Sequence, residues 1–247
     1  MAADCEFFEL VKAQCGARTI MNKFGDSILE IIFPEEGKVR SRKIVTRSRA
    51  RPTGKYPSWK MGRMIQWESH NELNAFRLLD ANPEALAYHE QPLTIEFVLD
   101  GERHKHYPDV LVQWGDSREL WEIKPEAEAS LPIYTRRTRF LEAALPALGF
   151  SYRVVLAEEL AQQPRLSNVL TLLKYGRAPV SELAREQVRQ LFSASPSIVW
   201  GSAIEGALGH HGREALARLT LEGHLVCDID QQLQPATRFM LRNGSTA

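Results

Sequence analysis

The sequence predicts an α/β protein, with a mixed sheet flanked by helices and then a smaller domain of helices and a hairpin. Three observations predict this class. Polar and apolar residues alternate over 107–113 and 120–124, on either side of Gly115-Asp116-Ser117, which predicts a β-hairpin. Apolar residues recur at helical spacing over 67–80. Beyond Pro164, three short amphipathic segments precede two strand-like runs.

The composition is that of an ordinary globular chain. Its 247 residues, 44% apolar and 25% charged, suffice for one large domain or two smaller ones. Three scattered cysteines without a C-x-x-C pair argue against a disulfide framework or a zinc site and favour a reducing cytoplasm. No apolar run approaches the roughly 20 residues of a membrane span, and the first residues lack the basic start of a signal peptide. We therefore expect a cytoplasmic protein without membrane contact.

A basic arm lies between Gly37 and Trp67. It carries ten Lys or Arg and no Asp or Glu, although the whole chain has 31 basic and 31 acidic residues. A solvated loop would explain the charge alone, but the interleaved Tyr56, Trp59 and Trp67 favour nucleic acid as the partner. Proline and glycine interrupt the arm, so we expect it to be irregular until something binds it. The predicted DNA-binding side chains are Arg47, Arg49, Arg51, Lys55, Lys60 and Arg63.

Three domains are predicted: an N-terminal segment over 1–50, a core over 51–160 and a C-terminal domain over 161–247. The N-terminal segment has a short helix over 5–13 and a strand over Ser27–Phe33. The core elements are a helix over 67–80, strands over 93–99 and 103–113 joined by an Asp100-Gly101 turn, the hairpin, a helix over 131–148 and a strand over 152–157. His104 and His106 are interpreted as strand surface, since no matching Cys or His cluster exists to complete a metal site.

The helix over 67–80 carries a carboxylate in an unusual position. Its apolar stripe contains Leu73, Phe76 and Leu79, and Glu72 falls near the middle of that stripe, with Glu68 close by. A carboxylate in a buried stripe is costly unless a cation or hydrogen-bond donors compensate it. A structural ion pair with a buried arginine is one explanation. A metal ligand that faces the hairpin explains the placement better.

The hairpin concentrates charge on one face of the sheet. Residues two apart in a strand share a face, so Glu122 and Lys124 point the same way, and a tight hairpin brings Asp109 towards them. Two carboxylates and an ammonium suit a hard cation together with a water or a phosphate. Ordinary exposed charges are the alternative interpretation.

The C-terminal domain has the element order of a winged helix. Helices over 166–175, 181–192 and 213–222 precede a hairpin of Leu225–Ile229 and Thr237–Leu241. From Arg165 to Arg242 there are nine basic and seven acidic residues, too balanced for strong DNA binding, so a protein-docking role is favoured.

Taken together, E-S-x-x-E, P-D and E-x-K follow the motif order of the PD-(D/E)xK nuclease superfamily, which this chain resembles. Over roughly residues 50–240 the chain resembles TnsA, the endonuclease subunit of heteromeric cut-and-paste transposases. The segments that carry this resemblance are Lys55–Ser58, Glu68–Glu72, Tyr88–Pro92, Tyr107–Asp109 and Glu122–Pro125.

The resemblance implies a restriction-endonuclease-like core that cleaves the 5′ strands of duplex DNA at transposon ends. It also implies two partners, a strand-transferring transposase subunit and an ATPase regulator. The catalytic residues that it implies are Glu72, Asp109, Glu122 and Lys124.

The chemistry suits Mg²⁺, with Mn²⁺ as a substitute. Asp109, Glu122 and the Ile123 carbonyl are the expected ligands, and Glu72 would serve a second ion or its waters. Lys124 would orient or deprotonate the attacking water, or stabilise the transition state; these roles stay open. The arm and the arginine-rich helix over 131–148 would contact DNA phosphates, which position the duplex without reading its sequence.

Two other functions compete with this prediction. One is a free-standing restriction or repair nuclease on the same core, which would nick DNA without partners. The other is a non-enzymatic adaptor that binds DNA through the winged helix. The presence of four chemically competent side chains in the motif argues against the adaptor.

Overall fold

The chain forms two units, each with its own hydrophobic core. A computed structural model describes residues 20–21, 25–35, 38, 40–41, 52–206, 208–209 and 211–242. The first unit takes the described residues up to Pro57, together with Met61–Leu73 and Ala85–Leu160. The second takes Ser58–Lys60, Asn74–Glu84 and the described residues from Ala161 onward. Two short segments of the predicted core thus group with the C-terminal residues.

The described part of the chain up to Leu160 alternates strands and helices. In order, it contains β1 (Ile20–Met21), β2 (Ser27–Ile32), β3 (Gly54–Ser58), β4 (Arg63–Trp67), α1 (His70–Ala81), β5 (Ala85–Glu90), β6 (Thr94–Leu99), β7 (Glu102–His106), β8 (Val110–Trp114), β9 (Ser117–Lys124), α2 (Glu126–Ala129), α3 (Pro132–Ala144), a 3₁₀ turn (Leu145–Leu148), β10 (Ser151–Leu156) and α4 (Ala157–Leu160).

One sheet of the first unit is antiparallel, in the order β1-β2-β6-β7. Its β6–β7 hairpin closes at Asp100-Gly101, where φ is 53° and 82°. Two consecutive positive φ values match the right-handed twist of the flanking strands, and glycine adopts such a value without strain.

The second sheet, in the order β10-β9-β8-β5, holds the predicted hairpin. β8 and β9 pair antiparallel, with Val110 opposite Trp121 and Trp114 opposite Ser117. β10 pairs parallel to β9, which requires a crossover between them, and α3 lies in that connection. β9 is therefore an interior strand, with neighbours on both sides.

The first core lies where the apolar side chains of the strands meet α3. The amphipathic α3 contributes Phe140, Leu141 and Ala144. The strand side chains packed with them include Ile28, Ile95, Phe97, Leu111, Leu120 and Tyr152.

The C-terminal residues form helices and a small sheet. Their elements are α5 (Arg165–Gly176), α6 (Glu182–Ala194), β11 (Ser197–Val199), α7 (Trp200–Ile204), α8 (Gly212–Leu221), β12 (Leu225–Val226) and β13 (Arg238–Leu241). The sheet order is β11-β13-β12, all antiparallel. The three predicted helices and the hairpin are present; β11 and α7 are additional. The winged-helix interpretation of this arrangement stays a prediction.

The mixed α/β class is confirmed, and several local predictions need correction. The arm is not irregular over residues 54–67, because β3 and β4 lie there. The helix begins at His70 rather than Trp67, so Glu68 precedes it. The strand predicted over 103–113 breaks at Tyr107–Asp109 into β7 and β8, which belong to different sheets. The helix over 5–13 falls outside the described residues. Among the residues described, no helix has both the length and the apolar character needed to span a bilayer.

Candidate active site

Asp109 is held in place by backbone hydrogen bonds on both sides. Its backbone N–H donates to the Trp121 carbonyl at 2.9 Å, and its own carbonyl accepts from the Gln91 N–H at 2.8 Å. Its Oδ2 accepts a hydrogen bond from the Ile123 N–H at 2.7 Å. The side chain therefore lies over β9, beside the residues that the hairpin was predicted to bring to it.

Glu122 lies near the end of β9 and is surrounded by cationic and polar side chains. Its side chain is only 7% exposed. Oε1 accepts from Nη2 of Arg137 at 3.1 Å and lies 3.5 Å from Nζ of Lys124. Oε2 lies 3.5 Å from Nε2 of His106. A carboxylate this far from water needs such partners to remain ionised.

His106 is buried, contrary to the prediction that it lies on the strand surface. Its Nε2 is 3.0 Å from the Tyr152 hydroxyl, which lies on β10. Burial, with the positive charges of Arg137 and Lys124, lowers the pKa of His106 to about 3. The imidazole is therefore neutral near Glu122. His104, by contrast, stacks on Phe97 with ring centroids 5.3 Å apart.

Lys124 ends β9 and faces the carboxylates from a partly exposed position. Its ammonium also lies 3.6 Å from Oε2 of Glu128 and 5.3 Å from the ring centroid of Tyr134. Burial alone would lower the pKa of Lys124, but the charges of Glu122 and Asp109 raise it above its ordinary value. Lys124 is thus an ammonium ion in this arrangement.

Glu72 is buried and caps its own helix. The Ser69 hydroxyl accepts from the Glu72 N–H and donates to Oε1 of Glu72, both at 3.1 Å. The Glu68 N–H donates to Oε2 at 2.9 Å. This arrangement is close to a capping box, for which S-x-x-E is the usual sequence. The pattern that resembles a family motif therefore also has a structural task.

Glu68 lies outside the helix and has a different role. Its Oε2 accepts a hydrogen bond from the side-chain amide of Gln91 at 3.1 Å. Gln91 has a φ of 43°, which is uncommon for a residue other than glycine. Because the Gln91 backbone also binds Asp109, this glutamine links Glu68 to the strand that carries the site.

The carboxylates of the site repel one another. Asp109 is partly buried, and the desolvation of its carboxylate, then the charges of Glu122 and Glu72, raise its pKa well above the ordinary value. Burial likewise raises the pKa of Glu122, against the opposing effects of Arg137 and Lys124. Within the described residues no three or more His, Cys, Asp or Glu side chains are arranged to hold a metal ion. The donor set nevertheless fits a hard cation, since oxygen ligands under mutual repulsion are stabilised by added positive charge.

Of the predicted DNA-binding side chains, two are engaged inside the protein. The Lys60 ammonium donates to the carbonyls of Leu79 and Asn82 at the end of α1. Arg63 forms a bidentate salt bridge with the buried Glu90, with N–O distances of 2.9 and 2.7 Å. Lys55 is exposed. The remaining three, Arg47, Arg49 and Arg51, lie outside the described residues.

Sequence reasoning missed Arg137, Tyr152 and Gln91 as individual residues of this site, and it placed His106 on the strand surface. Arg137 was predicted only as one of several arginines on its helix, and Gln91 only as part of a matching segment. Paired histidines just before the P-D motif were the available signal for His106. No pattern pointed to Tyr152, whose apolar neighbours in β10 are those of any buried strand.

Comparison with known families supports a nuclease. A comparison with curated proteins gives no significant match to the chain. A family model described as "TnsA-like endonuclease N terminal" matches residues 82–163. That stretch carries Asp109, Glu122 and Lys124 but neither Glu72 nor the C-terminal residues. Residues 82–163 are therefore similar to the TnsA-like endonuclease N-terminal family, and this similarity supports a nuclease related to transposase subunits.

Proposed function

We propose that this protein is the Mg²⁺-dependent endonuclease subunit of a heteromeric transposase, which hydrolyses the 5′ strands at transposon ends. One observation carries the proposal: the Asp109 carboxylate lies beside Glu122 and Lys124 of β9, inside the segment that matches a nuclease family. Phosphodiester hydrolysis by this mechanism needs carboxylates to hold the metal and a cation to stabilise negative charge on the phosphate, and this cluster supplies both.

The residues that would hold Mg²⁺ are Asp109, Glu122 and the Ile123 carbonyl, with Glu72 serving a second ion or its waters. When bound, the metal supplies a water of lowered pKa and positive charge for a phosphate oxygen. The hydrogen bond from Ile123 to Oδ2 fixes the rotation of the Asp109 carboxylate and leaves Oδ1 for another partner. Mn²⁺, which has similar ligand preferences, would substitute.

Lys124 acts as a cation rather than as a base in this proposal. Its raised pKa keeps it protonated beside the carboxylates. A protonated amine suits orientation of the attacking water and stabilisation of charge that builds on the phosphate oxygens. Deprotonation of that water would then fall to another acceptor.

The proposed partners are duplex DNA, a strand-transferring transposase subunit and an ATPase regulator. The balanced charge of the C-terminal residues supports a protein-docking role for the second unit. The arm would supply the phosphate contacts that hold the duplex.

A cleavage assay on transposon-end DNA tests the proposal. Strand-specific nicking should require Mg²⁺ or Mn²⁺, stop with EDTA, and depend on Asp109. Assays with and without the transposase subunit separate a subunit of a complex from a free-standing nuclease. Metal-independent nicking, or nicking by an Asp109→Asn protein, would contradict the proposal.

A further inference from the structure

Arg137 shares one carboxylate oxygen and one aromatic ring with Lys124. Its Nη2 donates to Oε1 of Glu122 at 3.1 Å, and Nζ of Lys124 lies 3.5 Å from the same atom. The guanidinium and the ammonium lie 5.1 and 5.3 Å from the ring centroid of Tyr134. α3 thus places a second cation directly beside the motif lysine.

The side chains of Arg137 and Lys124 are more exposed to solvent than that of Glu122, which bears on whether a ligand can reach them. The side chain of Arg137 is 22% exposed and that of Lys124 is 25% exposed, against 7% for Glu122. The Nε of Arg137 is buried, and no hydrogen-bond acceptor reaches it within the described part of the chain. Because part of its side chain is exposed, Arg137 is accessible to a ligand, while its Nη2 already binds Glu122.

The charges of the cluster explain why Arg137 would change partners. Arg137 and Lys124 both lie close to the Glu122 carboxylate, so a divalent cation on Glu122 would compete with them for the same oxygens. The metal would release Arg137 from its present partner. A bound phosphate brings negative charge to the same point, and the released guanidinium is placed to bind it.

We propose that Arg137 is a further catalytic residue, which pairs with Glu122 in the metal-free enzyme and binds a non-bridging oxygen of the scissile phosphate once a divalent cation takes Glu122. The inference rests on the proposed function. A planar guanidinium presents several donors to phosphate oxygens, which suits this role better than a point charge would. No bond to Arg137 forms or breaks; it contributes charge and hydrogen bonds to the transition state.

Two measurements on Arg137→Gln test the inference: Mn²⁺ titration calorimetry without DNA, and single-turnover cleavage at saturating Mn²⁺. Since Arg137 competes with the metal for Glu122, its removal should tighten Mn²⁺ binding by about tenfold. Since it also binds the phosphate, cleavage should slow by about a hundredfold. If Arg137 had only a structural role, its replacement would weaken Mn²⁺ binding and slow cleavage. Arg153→Gln is the matched control, because Arg153 lies on β10, is half exposed and faces Glu159; neither quantity should change.

The outcomes separate this inference from the proposed function. Wild-type protein that binds no Mn²⁺ contradicts both. Wild-type binding with unchanged or weaker binding to Arg137→Gln overturns the inference alone, as does cleavage by that variant at the wild-type rate. Should Arg137→Gln fail to fold, Arg137→Lys keeps the charge and decides the question: near-wild-type Mn²⁺ affinity with cleavage slowed at least about tenfold is expected, and cleavage at the wild-type rate overturns the phosphate contact.

Discussion

The backbone N–H of Glu68 donates a hydrogen bond to the Glu72 carboxylate at 2.9 Å. The two acidic residues are thus partners in one helix start rather than equivalent ligands. Glu72 is buried within the helix and its charge contributes to the raised pKa of Asp109, whereas Glu68 lies before the helix and binds Gln91. Their predicted contributions to cleavage differ accordingly.

Glu72→Gln should slow cleavage by about a hundredfold, because it removes a charge next to the metal site. Glu68→Gln should slow it by less than about tenfold, because Glu68 touches the site only through Gln91. Single-turnover rates at saturating Mg²⁺ check both. In Glu72→Gln the amide oxygen can accept from the Glu68 N–H while the amide NH2 donates to the Ser69 hydroxyl oxygen, so the melting temperatures should stay close to wild type. Equal losses in the two variants would contradict the assignment.

Asp109→Asn and Glu122→Gln should each abolish cleavage, with losses of about a thousandfold or more, because each removes a metal-binding charge. The isosteric amides keep the acceptors that Ile123 and Arg137 use, so both variants should remain folded. Circular dichroism and DNA binding without metal provide the control. Near-wild-type activity in either variant would mean that the substituted residue is not a metal ligand.

Lys60 gives the protein a specific pH dependence. Burial lowers its pKa to about 8 in the folded state, against 10.5 for an ordinary lysine. The unfolded chain therefore binds more protons between these values, so the free energy of unfolding should rise with pH across this window and be constant below it. Between about pH 8 and pH 10.5, the free energy of unfolding of the wild type should rise by on the order of 1–3 kcal/mol relative to that of Lys60→Met.

Urea denaturation at several pH values measures this difference. Lys55→Met is the matched control, since Lys55 is an exposed lysine of the same arm. Its difference from wild type should not vary with pH. A pH-independent difference for Lys60→Met would mean that the folded protein does not depress the pKa of Lys60.

Replacing Arg47, Arg49 and Arg51 by Ala should flatten the slope of log affinity for DNA against log salt by up to about 2–3 units, since each lost phosphate contact removes about 0.9. Lys60→Gln should leave this slope unchanged, because the Lys60 ammonium is engaged by backbone carbonyls. Fluorescence anisotropy over a salt series tests both. An unchanged slope in the triple variant would leave the arm as solvated surface or as a contact for a protein partner.

A fragment over 161–247 should be less stable than the same residues in the full chain. Residues from the earlier sequence pack on the second core, among them Trp59, whose ring lies 4.4 Å from the Arg218 guanidinium. Its indole N–H also donates to the Asp80 carbonyl at 3.0 Å. Thermal unfolding of the fragment, with and without residues 58–84, measures the difference. A fragment that melts as cooperatively and at the same temperature as the chain would contradict this prediction.

Patterns local in sequence predicted several of the elements. The β8–β9 hairpin followed from alternation with period two and a tight turn, and α1 followed from its apolar stripe, whereas β3, β4 and β5 were not predicted. Two errors could have been avoided, because the sequence contained signals against them. Pro108 lacks an N–H and interrupts the strand predicted over 103–113. Ser69 is a preferred N-cap residue, which places the start of the helix after Glu68.

The residues that surround the carboxylates could not be predicted from the sequence. Arg137 reaches Glu122 because the crossover between β9 and β10 lays α3 across the sheet, and no local pattern specifies that placement. The same holds for His106 and Tyr152, which belong to different sheets and meet behind Glu122. Residue types and spacing predicted the charged groups of β9, and tertiary packing decides what neutralises them.

The hydrogen bond from the Ile123 amide to Asp109 gives the site a built-in spectroscopic probe. The chemical shift of an amide proton responds to the charge on its acceptor, and this acceptor carries more or less charge as Asp109 gains or loses a proton or a ligand. The resonance of one backbone group would thus follow the electrostatic state of the carboxylate directly. A titration of isotope-labelled protein followed at that resonance would observe the site without DNA or turnover.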